Sequence, residues 1–145
     1  MSEIDPNLLR DIIMDHYQYP RNHHLSDEPS YQSKHMASES CIDDITVQVK
    51  FDQDRIEDVR FDGQACTIST ASTSIMSELV KGKTKEEAIE IIRNYFSMID
   101  QKEYDEDLLE EAIAFQNVGK QANRINCATI GWKAIRDMIK ESEGK

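Results

Sequence analysis

Apolar residues along the chain keep two different periods, and the change from one to the other organises it. Asp5 is a good helix N-cap and Pro6 suits the first helical position. Leu8, Leu9, Ile12, Ile13 and Tyr17 then recur at helical spacing, until Pro20 ends the helix. Residues 21–40 are polar and aperiodic, and read as a mobile loop. Ile45, Val47, Val49 and Phe51 alternate with polar residues as a strand, Asp52-Gln53-Asp54 turns the chain, and Ile56 to Phe61 pairs back. Ile56 is out of phase with Val59 and Phe61, which predicts a bulge near Glu57-Asp58. A short third strand is expected through Ala65 to Ile68, after Gly63.

The helical period then takes over. Ala71, Ile75, Met76 and Leu79 share one face of a helix that Gly82 closes. Thr84-Lys85-Glu86-Glu87 is a capping box, followed by a stripe of Ala88, Ile91, Ile92, Tyr95, Phe96 and Ile99. Tyr104 to Phe115 reads as a shorter acidic helix, and Ile125, Ala128, Trp132, Ile135 and Ile139 give the last helix its inner face. Met14, Met76, Met98 and Met138 fall on core stripes. The order implies an α+β fold, a small three-stranded antiparallel sheet covered on one face by helices. Residues 1–145 read as one domain, with no repeat inside it.

Charge narrows the function. There are 28 acidic residues against 17 basic, a net charge of −11, and no cluster of Lys or Arg interrupts the excess. Nucleic-acid binding is disfavoured, and an electrostatically steered partner should be basic. No apolar run reaches the length of a membrane span, and the N-terminus lacks a signal peptide's features. A soluble cytoplasmic protein with reduced thiols is expected.

Cys41, Cys66 and Cys127 lie far apart and form no CxxC pair, and an odd count makes a poor disulfide framework. As a bare count they read as ordinary buried thiols; their surroundings say more. In an extended segment Cys41 and Asp43 point the same way, with the parity of Ile45 and Val47, which selects Asp43 over Asp44. Cys66 precedes a helix start at Ser69-Thr70, and Cys127 is expected in the first turn of the last helix. Helix starts offer unsatisfied N–H groups to an anionic sulfur. Three thiolates and a carboxylate suit a four-coordinate metal site, with the hard carboxylate as the most exchangeable donor. A divalent ion there leaves two negative charges, and Arg124, one turn before Cys127, could offset them; its plainer reading is a solvated side chain. His16, His23, His24 and His35 read as exposed rather than as ligands. The Ser/Thr-rich run Thr67–Ser74 lacks the glycines of a phosphate-binding turn and reads as small residues for close helix packing.

These residues carry a resemblance. Asp15-His16-Tyr17 with Pro20-Arg21-Asn22 resembles the start of the IscU/NifU-type iron–sulfur cluster assembly proteins. Cys41-Ile42-Asp43, Gly63-Gln64-Ala65-Cys66-Thr67-Ile68-Ser69 and Arg124-Ile125-Asn126-Cys127-Ala128 resemble that family's three cysteine motifs, in order. Within it the chain is most similar to the SufU branch, with an acidic helical insertion at about 82–118. Ile42 replaces the family's usual glycine. Asn126 replaces the scaffold proteins' histidine, and Gly119-Lys120-Gln121-Ala122-Asn123 stands where they carry a chaperone-docking segment.

The resemblance implies a Zn2+-dependent sulfurtransferase, with Cys41, Asp43, Cys66 and Cys127 as metal ligands. Cys41 would accept persulfide sulfur from a SufS-type cysteine desulfurase, with Arg124 also carrying the chemistry. Downstream iron–sulfur scaffold proteins would be further partners. The alternative is a scaffold on which the same four residues assemble an iron–sulfur cluster. A zinc-stabilised interaction module without sulfur traffic is the reading from a different class.

Overall fold

A computed structural model describes residues 5–37 and 43–143. Its elements run α1 (Pro6–Gln18), β1 (Gln32–Ala37), β2 (Asp44–Asp52), β3 (Arg55–Gln64), α2 (Thr67–Val80), α3 (Lys85–Ile99), α4 (Glu106–Leu109) and α5 (Ala122–Glu143). The strands form one antiparallel sheet in the order β1-β2-β3. Ile45, Val47 and Val49 of β2 and Ile56, Val59 and Phe61 of β3 are buried, and α2 and α5 pack on the sheet and on each other.

The expected fold class holds, but the third strand is a different one. Residues 65 and 66 leave the sheet and Thr67 already begins α2, whereas Gln32–Ala37, expected as loop, pairs with β2. The bulge falls where the phase break put it. Lys50 faces Asp58 and Phe51 faces Ile56, which leaves Glu57 as the extra residue and lets Ile56 and Val59 both turn inward.

Residues 21–31 of the expected loop are tied down as well. The Arg21 N–H donates to Ser74 Oγ at 2.9 Å, the Asn22 amide donates to Ser77 Oγ at 2.9 Å, and the Phe61 N–H donates to the Asn22 carbonyl at 3.0 Å. Gln48 and Ser26 exchange hydrogen bonds of 2.7 and 3.0 Å. Asp58 receives hydrogen bonds from Tyr31 and Arg60, with the Lys81 ammonium 3.1 Å from its other oxygen.

α1 turns a different edge inward than its apolar spacing indicates. Leu9 and His16 are buried, while Leu8, Met14 and Tyr17 are exposed. His16, expected at the polar edge, has no exposed surface; its Nδ1 lies 2.8 Å from Ser74 Oγ and its Nε2 3.2 Å from Glu111. An imidazole satisfied at both nitrogens can be buried at little cost.

The small residues of α2 do permit close packing. Ser69 through Ser74 are all buried, and a Cβ added at Gly131 of α5 would stand 2.5 Å from Thr73 Oγ1. Ser72 donates to the Ala128 carbonyl at 2.6 Å and accepts from the Trp132 indole at 2.9 Å. Tyr95 stacks on Trp132 with ring centroids 3.7 Å apart, and burial pushes its hydroxyl far above the ordinary tyrosine range. The capping box forms as expected, with Thr84 and Glu87 bonded reciprocally. The acidic helix of Tyr104–Phe115 is instead one α turn, α4, followed by a 3-10 segment over Glu110–Phe115, the break falling at Glu110 with φ +46°.

Candidate metal centre

One end of the sheet assembles the site. Gly63 faces Ile45 across the ladder, so Asp43 and Cys66 leave the paired region side by side. That ladder is tight: a Cβ at Gly63, whose φ is +132°, would lie 2.2 Å from the Asp44 carbonyl oxygen. Only glycine accepts both the conformation and the approach.

Asp43 is 1% exposed. Its Oδ1 accepts the Cys66 N–H at 2.9 Å, and its Oδ2 accepts the Ser69 hydroxyl at 2.6 Å. Cys66 caps α2, its Sγ accepting the Ser69 N–H at 3.4 Å, and lies 3.9 Å from Asp43 Oδ2. Cys127 comes from α5, and its carbonyl oxygen is 3.0 Å from Ser69 Oγ. One donor atom from each of Asp43, Cys66 and Cys127 lies within 4.8 Å of the others. Two sulfurs and a carboxylate so gathered fit a zinc ion or an iron–sulfur cluster, since both take thiolate ligands.

The structure thus brings together three of the four expected ligands. Cys41, the fourth, lies outside the described residues. Asp43 is the inward carboxylate, as strand parity requires, while Asp44 is exposed and pairs with His35. Cys66 is at its helix start as expected. Cys127 is not: α5 begins at Ala122, so Cys127 is on its second turn, beyond the terminal turn where the helix dipole acts. Arg124 is exposed and lines, with Cys66, Asn123 and Cys127, a cavity of about 270 Å³ that opens at the site. It also borders a neighbouring groove of about 310 Å³ between α1 and Val118, walled by Leu9, Ile13 and Ile68. Sequence reasoning placed Ser69 at a helix start and among the packing residues, not as a hydrogen-bond partner of the ligands. Its place three residues after Cys66, where a capping partner sits, was the available signal.

Residues 8–145 match the family of NifU-like N terminal domains. The chain belongs to that family. It is 38% identical over 138 residues to the zinc-dependent sulfurtransferase SufU of Bacillus subtilis, an alignment covering 94% of this chain and 92% of that protein. It is equally 38% identical, over 132 residues, to the iron–sulfur cluster assembly scaffold protein IscU of Streptococcus pyogenes, covering 90% of this chain and 82% of that one. Among solved structures, the SUF-system protein FiSufU from Fervidobacterium islandicum superposes with a TM-score of 0.79. That pair is 35% identical, over 88% of this chain and 93% of the other. The family fold is therefore the one described above. Among the described residues no helix is long and apolar enough to cross a membrane.

Proposed function

We propose that this family member is a zinc-dependent sulfurtransferase in iron–sulfur cluster biogenesis, accepting sulfur on Cys41 from a cysteine desulfurase. The observation that carries the reading is the convergence of Asp43, Cys66 and Cys127 within 4.8 Å, directly after the segment that bears Cys41. Cys41, Asp43, Cys66 and Cys127 would hold zinc, which when bound keeps thiols as thiolates and, having no redox chemistry, spares them side reactions. In the transfer, the Cys41 thiolate attacks the outer sulfur of the partner's persulfide. That sulfur's bond to the partner breaks, the partner's cysteine leaves as thiolate, and Cys41 carries the new persulfide. No net oxidation occurs. Arg124 at the cavity mouth would offset the negative charge of the ligands and of the arriving persulfide. The 82–118 segment would serve as an insertion belonging to the same domain.

The scaffold reading has its own support in the equally similar Streptococcus pyogenes relative. Anaerobic purification with metal and sulfide analysis separates the two. A colourless protein with one zinc per chain and a Cys41 persulfide after incubation with desulfurase and cysteine supports the sulfurtransferase. A brown protein holding iron and sulfide overturns it in favour of the scaffold.

A further inference from the structure

We infer that Ser69 is the positioning residue of the metal centre, the group that orients Asp43 as a ligand between the two helix-borne cysteines. The inference rests on the metal-binding part of the reading above.

Ser69 is wholly buried and touches all three described ligand residues. Its N–H donates to Cys66 Sγ, its hydroxyl donates to Asp43 Oδ2 at 2.6 Å, and the Cys127 carbonyl is 3.0 Å from the same hydroxyl. A serine has one hydroxyl proton and cannot give it to both acceptors. The charged carboxylate at the shorter distance takes it, because charge-assisted hydrogen bonds are about twice as strong as neutral ones. Oδ1 is fixed equally by the Cys66 N–H, and the two bonds together stop the carboxylate from rotating.

Asp43 is a weak ligand in a thiolate set, so its contribution depends on orientation more than on intrinsic affinity. A hydrogen-bonded outer partner of a ligating carboxylate is commonly worth about 10–100-fold in metal affinity. The next buried hydroxyl along the same helix face, Ser72, is committed to Ala128 and Trp132.

The test measures zinc dissociation into a colorimetric chelator, with metal content as the starting reference. Ser69→Ala should retain zinc at purification but lose it about 10–100 times faster. Ser69→Thr, which keeps the hydroxyl, should recover most of the difference. Ser72→Ala is the control for a buried serine with a structural role: it should lower thermal stability and leave the zinc off-rate unchanged. The deciding measurement is a double-mutant cycle. In an Asp43→Ala background, Ser69→Ala should change the off-rate less than about twofold, since nothing is left for the hydroxyl to orient. An unaltered off-rate in Ser69→Ala, or an effect as large without Asp43 as with it, overturns the inference. A wild-type chain that binds no zinc overturns instead the metal reading on which it rests.

Discussion

Single side chains decide whether the centre holds. Cys66→Ser and Cys127→Ser should each strip the metal and lower the melting temperature, because a structural metal's binding energy is coupled to folding. Asp43→Ala should keep more metal than either, since water can fill a position vacated by a hard ligand. Metal analysis beside thermal unfolding checks the ranking, which equal loss in all three variants contradicts. Gly131→Ala is a packing test away from the site. Its new methyl would press on Thr73, so a loss of about 1–3 kcal/mol in urea unfolding is expected, as for other overpacked cores. At this scale the sequence was informative where geometry is rigid. Two-residue parity picked Asp43 over Asp44 without a structure. It was uninformative where burial depends on a distant partner: His16 is inside because Ser74 and Glu111, far along the chain, satisfy its ring.

Elements were legible in proportion to how much apolar surface they bury. β2 and β3 have a buried face each, and their alternation and bulge could be read directly. β1 is an edge strand with mostly exposed residues and Met36 half-buried, so no apolar period marked it. The start of α5 was missed for the same reason, as Ala122, Asn123 and Arg124 are all exposed and give a pattern nothing to register. The segment between α1 and β1 is held to β3 through Asp58, and this tie is sensitive to pH. Burial alone would push the Asp58 carboxyl up, but hydrogen bonds from Tyr31, Lys81 and Arg60 outweigh it and hold it below the ordinary aspartate value. A carboxyl lowered by folding stabilises the native state above its unfolded pKa, near 4, and that stability is lost as pH falls through the lower native value. Asp58→Asn should therefore cost about 1–2 kcal/mol near pH 7 and progressively less as pH falls below about 4. Urea unfolding of both proteins across that range measures it, and a penalty independent of pH would show that the charge is immaterial.

For the molecule as a whole, charge and reach govern the encounter with partners. At a net −11, association with the proposed desulfurase should slow as salt rises if the surface it docks with is basic, measurable by stopped-flow mixing between about 0.05 and 0.5 M. An association rate indifferent to salt would remove any role for the acidic surface in steering.

Covalent geometry adds a limit on reach. Ala37 pairs with Asp44, so six residues, 38–43, join β1 to β2, and the last of them is fixed by Cys66 and Ser69. Cα atoms two residues apart in any chain are at most roughly 7 Å apart, and Cys41 is two residues before that anchor in sequence. On the function proposed above, a protein that delivers sulfur to Cys41 and one that collects it must both dock around Asp43, and one docking place admits one visitor at a time. Donor and recipient should therefore compete: an excess of the recipient protein should suppress stimulation of the desulfurase, in proportion to the fraction of docking places it occupies.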